Sequence, residues 1–133
     1  MHRACNRGVT GIDSPRATPR LLFVYGSLRR GGVNFSVLAR LGARFICPGE
    51  TLRAFPLVQG PRWRQLHDRP GVGARVRGEL FEVRGEAAWA ALDWFEEHPH
   101  GYRRRVEAVI DAAGAERPAW IYFFHQRCGS GLT

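Results

Sequence analysis

Apolar residues change their spacing along this chain, and the changes mark out its elements. Leu21 to Val24 is an unbroken apolar run, which predicts a short strand buried on both faces. Gly26, Gly31 and Gly32 break it. Residues 34–41 then place Phe35, Leu38 and Leu41 at helical spacing behind Asn34, a candidate N-cap. Residues 44–58 carry apolar positions interrupted by Pro48, Gly49 and Pro56, predicting two short strands or one bent one. Residues 60–73, rich in Pro, Arg and Gly, predict an exposed loop that Trp63 and Leu66 can fold back onto the body. Residues 74–83 alternate, with Val76, Gly78 and Leu80 on one face and Arg77 and Glu79 on the other. Residues 85–98 form the strongest helical pattern, ended by Pro99. Residues 102–112 and 119–124 predict two antiparallel strands joined by a turn at Gly114. Period two puts Tyr102, Arg104, Val106, Ala108 and Ile110 on one face of the first, and its aliphatic members mark that face as inward. The sum is one strand-dominated α+β domain over residues 20–128. A mobile tail is expected at 1–19, where composition shows no periodicity, and a short tail at 129–133.

Composition narrows the class. A chain of 133 residues, 44% hydrophobic and 24% charged, is one ordinary globular domain. No apolar run approaches the roughly 20 residues of a membrane span. The N-terminus shows no apolar signal-peptide core, so a cytoplasmic location is expected. Cys5, Cys47 and Cys128 are odd in number and widely spaced, the pattern of reduced thiols, not of a disulfide frame or zinc knuckle. The formal charge is +8, and all 20 basic residues are arginine. The runs Arg29-Arg30 and Arg103-Arg104-Arg105 are not interleaved with aromatics, as a single-strand nucleic-acid platform would be. A solvated basic face is the expectation ahead of a nucleic-acid surface, with no membrane partner.

Two stretches carry candidate chemistry. The first is Tyr25-Gly26-Ser27-Leu28, between the first strand and the first helix. A strand, a glycine-flanked loop and a helix start can present N–H groups to an anion or a polarised carbonyl; a tight turn without ligand is the simpler alternative. It is not a P-loop, since Gly32 is followed by Val33 where Lys-Ser/Thr would stand. The second is the helix at 85–98, with its stripe of Ala88, Trp89, Leu92 and Phe95. At about 100° per residue, Glu96 lies within about 20° of Trp89 on the wheel, while Glu97 is turned about 100° further round. A carboxylate on an apolar face is desolvated and tends toward a raised pKa, the condition for proton transfer near neutral pH. An ion pair with an inward arginine is the structural alternative. Tyr102 and Arg104 start the next strand on its inward side. In 120–124 both faces are apolar, and Tyr122 shares a side with Trp120; its hydroxyl needs a partner if buried. His98, His100 and His125 do not make a metal set, and no cofactor motif is present.

Taken together these blocks resemble the γ-glutamylcyclotransferase-like family. Val24-Tyr25-Gly26-Ser27-Leu28, with Gly31 and Asn34 behind it, resembles the opening signature. Arg53-Ala54-Phe55-Pro56-Leu57-Val58 resembles the second strand region, and Leu66-His67, Pro70-Gly71 and Gly73 the loop that follows. Arg77-Gly78-Glu79-Leu80-Phe81 is similar to the next strand, and Leu92-Asp93-Trp94-Phe95-Glu96 with Tyr102 and Arg104 to the block carrying the catalytic glutamate. Phe before Glu most resembles the γ-glutamylamine cyclotransferase branch.

The resemblance implies a small mixed β-barrel flanked by short helices. It implies release of 5-oxoproline from a γ-glutamyl amine or small γ-glutamyl compound without metal or cofactor. Glu96 takes the acid/base role, and Tyr25, Gly26, Ser27 and Leu28 the substrate-binding role, with Tyr102, Arg104 and Tyr122 as further candidates. The chemistry is modest: the substrate's α-amine attacks its own γ-carbonyl, and one poised carboxylate serves both proton transfers. A binding module without turnover, and a basic nucleic-acid binder, are the competing classes. The sequence sets no oligomeric state.

Overall fold

The structure, a computed structural model, describes residues 19–26, 28–32, 34–60, 64–96 and 101–125. Its strands and helices are β1 (Leu21–Val24), α1 (Phe35–Arg40), β2 (Arg44–Phe55), β3 (Leu57–Gln59), β4 (Arg64–Leu66), β5 (Ala74–Glu82), α2 (Glu86–Phe95), β6 (Tyr102–Asp111) and β7 (Glu116–Phe124). Five strands close a barrel in the order β1-β5-β2-β6-β7, and β3 pairs with β4 in a separate ribbon. Neighbours in the barrel are antiparallel, except that β7 returns to β1 in parallel. That last seam is thin: its register pairs Leu22 with Trp120 alone, whereas β6 and β7 match from Tyr102↔Phe124 to Ile110↔Glu116.

β1 reads as continuous apolar sequence because both its faces are covered. Leu21 and Phe23 join the barrel interior with Cys47, Phe55, Leu66, Val76, Leu80, Val109, Ile121 and Phe123. Leu22 and Val24 join an outer layer with Leu38 of α1, Ala88 and Leu92 of α2, and Phe81 and Tyr122. The predicted stripe of α2 lies in this outer layer: Ala88 and Leu92 are buried, with Trp89 and Phe95 packed against them. Alternation in β5 is as expected, with Val76 and Leu80 buried and Arg77 exposed.

Three expectations change. The region from 44 onward is one long strand that runs through Pro48 and then a short one after Pro56. Pro48 is tolerated because the ladder to β6 begins only at Gly49, and the pairing to β5 shifts register between Phe45 and Cys47 and between Glu50 and Ala54. The stretch 60–73 is not simply an exposed loop. It contains β4, whose Leu66 is fully buried and plugs the barrel interior; Trp63 lies outside the described residues.

The third correction concerns β6. Val106 is exposed, and the barrel interior instead receives Glu107, Val109 and Asp111. Charge pairing makes this possible. Glu107 accepts from Arg53 Nε at 2.9 Å and Nη2 at 3.0 Å and from Arg105 Nη1 at 2.7 Å, and Arg105 also grips Asp68 at 2.7 and 2.8 Å. Asp111 accepts from the Ala113 and Ala115 amides, each at 2.9 Å, and pairs with buried Arg117 at 3.3 Å. Buried carboxylates are tolerated when paired and hydrogen-bonded. The face holding Tyr102 and Arg104 is therefore the outer one, turned toward α2.

Candidate active site

The barrel is weakest at the β1/β7 seam, and the predicted site residues gather there. Leu22↔Trp120 is the one registered pair of the two strands. Tyr25, the residue after β1, adds a side-chain tie to β7: its hydroxyl donates to the Tyr122 carbonyl at 2.7 Å. From the ribbon, Arg64 Nη2 donates to the Tyr25 carbonyl at 3.0 Å.

The loop after Tyr25 is built from successive turns. Arg29 N–H donates to the Gly26 carbonyl at 3.0 Å, Gly32 N–H to the Arg29 carbonyl at 2.8 Å and Phe35 N–H to the Gly32 carbonyl at 3.2 Å. Leu28 is buried in the outer layer and pegs the loop down. Glu79 of β5 holds it from the side, accepting from the Arg30 amide at 2.8 Å and from Arg30 Nε at 3.3 Å, while the guanidinium lies 3.6 Å above the Phe45 ring. Close approach of β1 to β5 requires Gly78: an added Cβ there would lie 2.6 Å from Phe23 Cζ and collide with the Val24 carbonyl. Gly26 differs. It does not have a positive φ, and a Cβ added to it would meet nothing within 4 Å. Ser27 lies outside the described residues.

α2 delivers Glu96 to the same place. Glu96 is the C-cap of the helix, with its amide donating to the Leu92 carbonyl at 2.9 Å, and it is half-buried. Tyr25 is held well above the ordinary phenol range, first by burial and then by the negative charge of Glu96 and by Tyr102. Tyr122 is raised too, by burial, by its hydrogen bond to Asp93 and, more weakly, by Glu96. Both rings thus lie within electrostatic reach of the Glu96 carboxylate. Tyr102, half-buried, sets its ring edge-on to Phe124 at 5.7 Å.

Arg104 and Tyr122 sit behind this group, against α2. The Tyr122 hydroxyl donates to Asp93 Oδ1 at 2.6 Å, and Arg104 grips the same carboxylate through Nε at 2.7 Å and Nη2 at 3.1 Å. The guanidinium is sandwiched between the Trp89 ring at 4.7 Å and the Trp120 ring at 4.4 Å. The structure therefore brings Tyr25, Gly26 and Leu28 to the β1 end of the β1/β7 seam, with Leu28, Tyr102 and Tyr122 in the outer layer and Arg104 tied to Tyr122 through Asp93. Asp93 was missed in the sequence reading. Its signal was present, since it stands three residues before Glu96 and so shares its helical face.

The arginine surplus is extensively paired. Arg30, Arg104 and Arg105, from the two basic runs, each form an ion pair. Among the described residues, no three His, Cys, Asp or Glu side chains converge as a metal site, and no helix is long and apolar enough to cross a membrane. Glu97, His98 and His100 lie outside the described residues. A half-buried carboxylate near phenols and a turn-rich loop is suited to proton transfer on a small bound molecule.

Comparison with known proteins gives the family. The family model for gamma-glutamyl cyclotransferase, AIG2-like, matches residues 22–132. The Homo sapiens protein named gamma-glutamylaminecyclotransferase is 41% identical over 109 residues, covering 74% of this chain and 69% of that protein. Its Bos taurus namesake is 34% identical over 119 residues, covering 85% and 69%. The chain thus spans about two thirds of the length of these curated relatives. The crystal structure of an AIG2-like protein from Mus musculus matches with a TM-score of 0.74 at 32% identity, covering 80% of this chain and 78% of that one. Motifs, barrel topology and these matches converge: the chain belongs to the gamma-glutamyl cyclotransferase, AIG2-like family.

Proposed function

We propose that this protein is a γ-glutamylcyclotransferase-type enzyme that releases 5-oxoproline from a γ-glutamyl amine or another small γ-glutamyl compound. The observation that carries the reading is the placement of Glu96. Glu96 is half-buried at the C-cap of α2, the helix that packs with Tyr102 and Tyr122 in the outer layer, and its charge is felt at Tyr25 and Tyr122. Family membership and the names of the human and bovine relatives support the same chemistry.

In the reaction, the substrate is held bent so that its α-nitrogen lies against its own γ-carbonyl. The α-ammonium gives up one proton to solvent, and as the freed amine forms the new N–C bond Glu96 takes a second proton from that nitrogen. The tetrahedral centre then collapses, the bond to the leaving amine breaks, and Glu96 passes this proton to the departing nitrogen, which takes up another from solvent. Holding the ring-closing conformer supplies much of the acceleration because the attack is intramolecular. The backbone of Tyr25, Gly26 and Leu28, in a loop fixed by Leu28 and Glu79, takes the substrate's carboxylate or the developing oxyanion; Ser27 has the same substrate-binding role. Tyr102, Arg104 and Tyr122 are the further substrate-binding residues.

The test is 5-oxoproline release from a panel of γ-glutamyl amines, γ-glutamyl dipeptides and glutathione. Glu96→Gln keeps the side-chain shape and removes the titrating oxygen. It should cut kcat about a hundredfold or more, the usual worth of a positioned acid/base group, without lowering the melting temperature. A Glu96→Gln protein that keeps wild-type turnover overturns the assignment, and a wild-type protein that forms no 5-oxoproline from any panel member favours a binding module.

A further inference from the structure

Glu96 stands where the helix runs out. At a C-cap the regular backbone ladder has ended, so tertiary contacts decide where the side chain goes. Asp93 stands three residues earlier on the same helix, on a neighbouring part of its face. That carboxylate is tied three times, to the Tyr122 hydroxyl and twice to Arg104. Arg104 is itself fixed between two indoles, with its side chain only 20% exposed. Asp93 therefore connects the last turn of α2 to both β6 and β7 through rigid, short, charge-assisted bonds.

The same cluster has an electrostatic consequence. Among the described residues, Glu96 acts on Tyr25 together with Tyr102 and Arg64, and on Tyr122 together with Asp93 and Arg104. Tyr122 feels the cation of Arg104 and the anions of Asp93 and Glu96 together. An unneutralised guanidinium at this point would favour ionised Glu96 and hinder its protonation. A proton carrier that must both accept and donate works best without that bias.

We propose that Asp93 is a positioning residue for Glu96: by clamping Arg104 and the Tyr122 hydroxyl it fixes the last turn of α2 over the β1/β7 seam and takes up the guanidinium charge, so that Glu96 can cycle its proton at the substrate. The inference rests on the reading of Glu96 as proton carrier.

The experiment compares wild type, Glu96→Gln, Asp93→Asn, Tyr122→Phe and the double variant Asp93→Asn/Arg104→Gln. One readout is kcat and KM for 5-oxoproline release from the panel member turned over fastest. The other needs no turnover: the Glu96 carboxyl is titrated by carbon-13 NMR, with Glu96→Gln assigning its signal. Asp93→Asn should lower kcat about tenfold or more, as misplacement of a reacting group does, with KM changed less than about threefold. It should also move the Glu96 midpoint to lower pH, and the double variant, with the cation removed, should move it back. A purely structural Asp93 would lower the melting temperature and leave the midpoint in place; that result, or wild-type kcat in Asp93→Asn, overturns the proposal. If Asp93→Asn lacks a cooperative melt, Tyr122→Phe decides, since it removes one hydroxyl and keeps the ion pair: kcat should fall about threefold or more at constant KM, and wild-type kcat overturns the proposal. An active Glu96→Gln sinks the underlying reading, whereas an inactive Glu96→Gln beside an active, unshifted Asp93→Asn sinks this inference alone.

Discussion

Replacing Tyr25 by Phe isolates the bond that closes the seam. The substitution removes one oxygen and keeps the ring, which is 8% exposed within the barrel interior. What is lost is a 2.7 Å hydrogen bond to the Tyr122 carbonyl, at a point where the β1/β7 ladder has already ended. A buried acceptor deprived of its donor costs about 1–3 kcal/mol. For a domain of this size that corresponds to about 4–12 °C in Tm. The effect also depends on pH, and its sign is fixed by the tyrosine. Burial first, and then the Glu96 charge, keep Tyr25 protonated above its ordinary range in the folded protein. The unfolded chain releases that proton near pH 10, about the usual phenol value. Above that pH the unfolded state binds fewer protons than the folded one, so stability falls with rising pH by up to about 1.4 kcal/mol per pH unit for this group. Tyr25→Phe has no such group to lose. Thermal melts should therefore show a wide gap between wild type and variant at pH 7 and a narrowing gap above pH 10. A variant melting within about 1 °C of wild type at pH 7, far below the shift expected for a lost buried hydrogen bond, refutes the seam argument.

Gly26→Ala should leave Tm nearly unchanged, because an added methyl meets nothing within 4 Å and φ is not positive, yet it should raise KM or lower kcat if substrate approaches that backbone; unchanged kinetics would show that the substrate binds elsewhere. Glu107→Gln should destabilise the barrel by about 1–3 kcal/mol, tempered by the exposure of Arg53. Burial alone would push the Glu107 carboxyl up, but the bonds from Arg53 and Arg105 outweigh it and hold the group below its ordinary range. Its stabilising effect is thus present above the unfolded carboxylate pKa, about 4.3, and lost as pH falls through the folded value. Urea melts of wild type and Glu107→Gln should accordingly converge below about pH 4, and a constant difference would contradict the pairing. Turnover should survive excess EDTA; activity lost to the chelator and restored by one divalent metal would refute a metal-free reaction.

How much was legible in the sequence depended on whether the signal was local. The run Leu21–Val24 announced a strand covered on both faces, and the stripe through Ala88, Trp89, Leu92 and Phe95 announced which side of α2 is packed. Such patterns depend on backbone period, which the chain carries by itself. The motif blocks identified the family for the same reason, since they are short contiguous strings. What alternation could not determine was which face of β6 looks into the barrel. Val106, Ala108 and Ile110 suggest one answer, and the interior holds Glu107 and Asp111 instead, because Arg53, distant in sequence, neutralises the first and Arg117, across the β6/β7 turn, the second. Pro48 within β2 was hidden likewise, since only the sheet shows where the ladder to β6 begins. Leu66 read as loop because its partners in the barrel are remote in sequence. The clamp on α2 depends most on tertiary structure: Asp93, Arg104 and Tyr122 are separated by 11 and 29 residues from the first to each of the others. The β6/β7 register sets Arg104 opposite Tyr122, and packing of α2 on the outer layer brings Asp93 to both; no local period encodes a contact created when a helix docks on a sheet.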